Sequence, residues 1–197
     1  MQLLPPLPES LLPSLNAGKN LLAFSGGIDS SALFFILLAN KIPFEVAHVN
    51  YQTRPKSNEE TKHVQNLCKI HKIPCHVFTC KLQKGNFEHR ARTVRYAFFA
   101  RILRQRGLQI LLSAHQLNDR LEWLLMRLIQ GGGTISLAGF SQRESWHDWE
   151  LIRPLSELTK SDLQSFLDAN SLPYYEDESN LDPQFLRNQI RHNFSNP

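Results

Sequence analysis

A chain of 197 residues, 42% of them apolar, can bury one sizeable core and leaves little for a second. Its charge is mildly positive, with 22 Lys and Arg against 18 Asp and Glu, which permits an anionic partner without demanding one. Cys68, Cys75 and Cys80 form no C-x-x-C pair, which argues against a disulfide framework, structural zinc or dithiol chemistry, and no apolar run approaches the roughly 18 residues that span a bilayer, so a cytoplasmic protein is expected.

In chain order, residues 1–19 are proline-rich, lack the layout of a secretory signal and read as an irregular arm. Leu21-Leu22-Ala23-Phe24 reads as a short buried strand, and Asp29 to Asn40 as a helix apolar nearly all round. Phe44 to Asn50 is the next strand. Ser57-Asn58-Glu59-Glu60 has the form of a capping box, opening a helix that runs to about His71. Cys75 to Cys80 is a third strand, and a long helix capped by Asn86 ends near Arg106. Gln109 to Ser113 is a fourth strand, followed by a helix from about Leu117 to Gln130 that Gly131-Gly132-Gly133 stops. After a polar stretch, Ser141 to Trp149, come a strand near Leu151 and a helix capped by Thr159. A last helix has Asp182 as cap and Pro183 at its first position. The alternation predicts an α/β fold: a doubly wound, mostly parallel sheet with helices on both faces. Residues 20–140 would form the nucleotide-binding core, and 141–197 an extension of the same domain.

Ser25-Gly26-Gly27-Ile28-Asp29-Ser30 lies between a strand and a helix, where a phosphate loop belongs. The glycines allow positive φ and a close approach of backbone N–H groups to an anion. The helix N-terminus adds its dipole, and Ser25, Ser30 and Ser31 add hydroxyl donors. Asp29 would repel a polyphosphate unless it holds Mg²⁺ that bridges to it. The loop lacks the G-K-[ST] ending of a Walker A motif, which favours grasping pyrophosphate as a leaving group.

Ligands of open parallel sheets sit at the carboxyl ends of strands, which brings in His48, Asn50 and Tyr51 after the second strand and His115 after the fourth. Asn118 and Glu122 fall four apart on a helix face that continues through Leu125 and Ile129, with Asp119 on its flank. Simple helix capping by Asn118 and Asp119 is the competing reading. In the long helix Glu88, Arg92 and Arg95 share the face of Phe99, Ile102 and Leu103, while Arg90, Arg101 and Arg104 read as a solvated side.

The S-G-G-x-D-S loop resembles that of the PP-loop superfamily, whose members form adenylates and release pyrophosphate. Further blocks resemble bacterial tRNA(Ile)-lysidine synthetases. These are His48-Val49-Asn50-Tyr51 with Arg54 and Ser57, and Asn86-Phe87-Glu88 with Ala91-Arg92 and Arg95-Tyr96. Ala114-His115 through Gly131-Gly132-Gly133 and Leu137-Ala138-Gly139-Phe140 make a third, and Arg153-Pro154-Leu155 with Lys160 a fourth. Asp177-Glu178-Ser179-Asn180 and Arg187-Asn188 with Ile190-Arg191 complete the set. The chain departs from the family where Asp-Asp-Gln becomes Asn118-Asp119-Arg120 and where Thr becomes Trp123. The family's further C-terminal domains are expected to be missing, in a short member or a piece of a longer chain.

The resemblance implies an ATP-dependent ligase that converts the first anticodon cytidine of an isoleucine tRNA with a CAU anticodon to lysidine, using free L-lysine. Asp29, Arg92, Arg95, Asp119 and Glu122 are the expected catalytic residues. Ser25 to Ser30, His48, Asn50 and His115 would bind ATP, Asp29 would hold Mg²⁺, and Lys160, Arg187 and Arg191 would contact tRNA. The alternatives are another PP-loop enzyme, adenylating tRNA or a small molecule, and a catalytically weakened nucleotide- or RNA-binding module, crippled at Asn118.

Overall fold

Side chains alternate between two cores along the central strands of the computed structural model, which describes residues 3–53, 56–82, 87–131 and 140–175. Strand β1 (Asn20–Ala23) turns Leu22 to one face and Leu21 to the other; β4 (Ile110–Leu112) divides Ile110 and Leu112 from Leu111 in the same way. With β2 (Phe44–Asn50), β3 (Cys75–Thr79), β5 (Arg143–Trp146) and β6 (Trp149–Ile152) they form one sheet in the order β3-β2-β1-β4-β6-β5. All neighbours are parallel except β5, which returns antiparallel along β6. The first face is covered by α1 (Leu12–Asn16), α2 (Ile28–Ala39), α3 (Ser57–Ile70) and α6 (Lys160–Ala169). The second is covered by α4 (Phe87–Arg106), through Phe98, Phe99, Ile102 and Leu103. Helix α5 (Leu117–Ile129) follows β4. The doubly wound α/β architecture expected from the sequence is the one observed.

Three local expectations need correction. The arm expected over residues 1–19 is ordered from Leu7 onward: a 3-10 turn at Glu9–Leu11 leads into α1, and Leu7, Leu11 and Leu15 are buried in the first core. Ser57 is not the cap of α3, because the helical conformation already includes Lys56, which makes no side-chain capping bond. The polar stretch at 141–149 contains β5 and the turn of a hairpin. On the α5 face that runs through Leu125 and Ile129, Ile129 is 63% exposed, whereas Glu122 and the flanking Asp119 are buried. The helix expected after Asp182 lies outside the described residues, as do Asn86 and Gly132.

Candidate active site

The chain leaves β1, winds outward through β2 and β3, and returns on the other side of β1 as β4. Diverging connections open a crevice at this reversal of strand order. A cavity of about 400 Å³ occupies it, lined by the ends of β1 (Ala23 to Ser25) and β4 (Ser113 to His115), with Asp29 and Ser30 on one wall and Arg95, Tyr96 and Asp119 on others.

The loop between β1 and α2 builds the first wall. Gly26 sits at φ +89°, a conformation other residues adopt only with strain, and its carbonyl accepts from Tyr175 N–H at 2.8 Å. Gly27, expected at positive φ, instead caps α2 at φ −76° in extended backbone. Ser30 Oγ donates to the Gly27 carbonyl at 3.1 Å, accepts from Gly26 N–H and lies 3.0 Å from Ser25 Oγ. The two hydroxyls therefore face the cavity together at the positive end of α2. Ser31 is turned away: its Oγ donates to the Gly26 carbonyl and it is buried. Ile28 begins α2 and packs against the core. Asp29 lines the cavity.

His48 and Asn50 do not reach this space. They share the side of β2 that Val46 sends into the first core, so the strand's period of two carries them to the α3 face. The His48 ring nitrogens lie 3.0 Å from the Phe24 carbonyl and 3.1 Å from Thr61 Oγ. Burial, opposed by the bond to Phe24, holds its pKa below the usual histidine value. Asn50 donates to Asn58 Oδ1 and accepts from Gln52 N–H, ending the strand. The other side of β2 supplies Ala47, Val49 and Tyr51 to the cavity. Tyr51, whose OH donates to the Ala91 carbonyl at 3.0 Å, has its pKa raised by burial against the lowering effect of Arg95.

Helix α5 enters through a capping box, with Gln116 as cap and Asp119 Oδ2 accepting from Gln116 N–H at 3.1 Å. Asp119 thus caps the helix and lines the cavity as well. Asn118 Oδ1 accepts from Lys160 N–H at 3.1 Å, so it caps the start of α6 from outside that helix. Either an amide or a carboxylate oxygen can accept this bond. Glu122 is 1% exposed and does not line the cavity. His115 Nδ1 lies 2.6 Å from Ser113 Oγ, and its ring packs on Phe140 at 5.1 Å. Behind Phe140 is Arg153, only 4% exposed, which donates to the Ser141 carbonyl and Glu144.

On α4, Arg95 lines the cavity, whereas Arg92 lies outside it, 5.0 Å over the Tyr96 ring. Lys160 begins α6. Arg187 and Arg191 lie outside the described residues. Tyr175 was not expected from the sequence: it bridges to Gly27 in parallel fashion and packs on His63, bracing the loop from the C-terminal part of the chain. No local pattern around it announces this role.

Comparison with known proteins narrows what this crevice belongs to. A tRNA(Ile)-lysidine synthase of Wolinella succinogenes is 51% identical over 177 residues, covering 90% of this chain and 54% of that protein. One from Campylobacter jejuni is 42% identical over 189 residues (95% and 59%), and one from Helicobacter pylori 40% over 185 residues (94% and 54%). The chain therefore spans between 54% and 59% of the length of these curated relatives. Among solved structures, the U34-tRNA thiolase NcsA from Methanococcus maripaludis, with its [4Fe-4S] cluster, superposes with TM-score 0.75 at 18% identity. The match covers 95% of this chain and 68% of that one, a likeness of fold. The family model described as a PP-loop domain matches residues 7–196, and the chain belongs to that family.

Proposed function

We propose that this chain is the adenylating part of a ligase that turns the first anticodon cytidine of an isoleucine tRNA into lysidine. One observation carries the reading: the loop wall with Ser25, Asp29 and Ser30 and the wall with Arg95, His115 and Asp119 face one cavity at the sheet's switch point. The similar lysidine synthases support the choice of substrates. ATP would lie with its β and γ phosphates on the loop. The cytidine carbonyl oxygen would attack the α-phosphate as the bond to pyrophosphate breaks, and the lysine amine would then displace AMP from the base. Ser25, Ser30 and the start of α2 would hold the departing pyrophosphate, Arg95 would offset charge at the reacting phosphate, and Asp119 would orient the lysine ammonium.

Asp29 and Asp119 give the cavity two carboxylates, the hard oxygen donors that suit Mg²⁺ shared with substrate phosphates. Asp29 would hold the ion, which when bound neutralises charge on the pyrophosphate. A cytidine in a single-stranded loop can leave its stack at small cost to enter the crevice. Among the described residues no cysteine lines it, which speaks against a thiolation reading.

The test is release of AMP from ATP by this chain with a CAU-anticodon isoleucine tRNA transcript and labelled lysine. Label appearing in the RNA with matching AMP is the expected result. Release of AMP without transfer of label points to another PP-loop reaction, and ATP binding with no AMP under any condition leaves a binding module.

A further inference from the structure

Helix α4 presents Arg90, Arg92, Arg95, Arg101 and Arg104 at exposed positions, and none of the five forms an ion pair among the described residues. Arg106 is the contrast, held 3.0 Å from Glu45. Along the flank of α4 toward β5 and β6, rings form a continuous ladder. Arg92 lies over Tyr96, Tyr96 stacks on Trp146 with centroids 5.4 Å apart at 11°, and Trp146 stacks on Trp149 at 4.8 Å and 18°. Tyr96 lines the reaction cavity at one end. At the other end Trp149 lines a second cavity of about 270 Å³ together with Arg104, Gln109 and Asp148.

Part of this ladder has a structural purpose, since Tyr96, Trp146 and Trp149 pack half-buried against the second core. Covering a sheet edge requires apolar area only. It does not require partly exposed, mutually stacked rings, nor exposed guanidinium groups at both ends of the ladder that form no ion pair among the described residues. Stacked aromatic rings beside exposed arginines are what a single-stranded nucleic acid uses, bases on the rings and phosphates on the guanidinium groups. An acidic protein partner would use the charge and leave the ring faces idle. We propose that this flank of α4, from Tyr96 to Trp149 and Arg104, docks the single-stranded RNA segment next to the nucleotide in the cavity. The proposal rests on the RNA-modifying reading above and adds to it the path that the RNA follows.

Binding of a fluorescent anticodon stem-loop RNA, measured by anisotropy over a range of salt concentrations, tests it. Arg104→Glu should weaken binding about tenfold and flatten the salt dependence by about 0.7 in log–log slope for each phosphate no longer neutralised. Trp149→Leu keeps apolar cover and removes the ring, so it should weaken binding about fivefold or more, while Trp149→Tyr should bind like the parent. Asp148→Asn removes a carboxylate from the path and should tighten binding. Arg101→Glu is the control on the same helix, because Arg101 lies over Phe78 and Phe98 on the opposite flank. Equal weakening by Arg101→Glu would reduce the effect to net charge and overturn the proposal. So would parent-like binding by Arg104→Glu, an exposed substitution that decides the matter even where Trp149→Leu fails to fold. A parent chain that binds no stem-loop removes this proposal and the RNA-modifying reading together, whereas parent binding with indifferent Arg104 and Trp149 variants removes only the docking path.

Discussion

The Asp119 carboxylate accepts from Gln116 N–H while lining the cavity, so capping and chemistry must be separated by substitution. An Asn at this position keeps an acceptor for the cap and loses the charge. Asp119→Asn should therefore unfold at nearly the parent temperature yet lose about a hundredfold or more in turnover, since a charge removed from a largely desolvated site costs about 3 kcal/mol. Near-normal kinetics in lysine would return Asp119 to a purely capping role. Asn118→Asp behaves differently, because its side chain caps α6 through Lys160 N–H. A carboxylate there meets the positive end of a helix, so the variant should keep activity and gain about 0.3–1 kcal/mol, read from denaturant melts. His48 makes a pH prediction. Its folded pKa lies below the unfolded value, so between those two values the unfolded chain binds more protons and stability rises with pH. The contribution is complete above the unfolded pKa, near 6.5, and is lost as pH falls toward the folded one. Melting temperatures measured from pH 7.5 down to 5 should fall more steeply for the parent than for His48→Gln.

Single elements show why some of the site was legible and some was not. The loop and Asp119 could be placed beside the cavity because glycine, serine and carboxylate sit at strand-to-helix junctions, and parallel sheets present such junctions on one edge, whereas Asn118 and Glu122 of the same segment do not line it. In β2 the block His48-Val49-Asn50-Tyr51 marks the right strand end, but a strand sends alternate residues to opposite faces. The polar pair His48 and Asn50 satisfies backbone and α3 groups, while Val49 and Tyr51 reach the cavity. Polarity pointed one way and the buried carbonyl of Phe24 pointed the other; the unmet hydrogen bond prevailed. Strand β5 was hidden because its four residues are mostly polar and its turn, His147-Asp148, lacks glycine. In α4 the shared stripe of Arg92 and Arg95 splits, because Arg95 projects over the sheet end and Arg92 lies on Tyr96. Arg95→Ala should consequently reduce tRNA-dependent AMP release about a hundredfold, as loss of a charge-stabilising group does. Arg101→Ala should change it less than threefold, and equal effects would show that the cavity does not distinguish them.

At the scale of the whole molecule, segments far apart in sequence converge beneath and around the site. Tyr175 braces the loop, Arg153 backs Phe140 against His115, and the segment from Leu7 to Leu15 seals the core beneath β1. Asn20 links that seal to the sheet, donating through Nδ2 to the carbonyls of Leu15 at 2.7 Å and Pro43 at 2.8 Å. Proline content suggested a loose arm, yet Leu7, Leu11 and Leu15 recur every four residues, and the last two are fully buried. Truncating a buried leucine to alanine typically costs about 2–5 kcal/mol, a large part of the roughly 5–15 kcal/mol that holds a domain folded. Leu11→Ala and Leu15→Ala should each lower the urea midpoint by that measure, and the double variant should depart from additivity because the two are neighbours in one core. Leu3→Ala, at a site 68% exposed, should stay within about 0.5 kcal/mol of the parent. Turnover of the Leu11 and Leu15 variants in the cold, where they remain folded, should match the parent, since neither residue lines the cavity. If Leu11→Ala were as harmless as Leu3→Ala, the segment would be a dispensable arm after all, and the core beneath β1 would have to close without it.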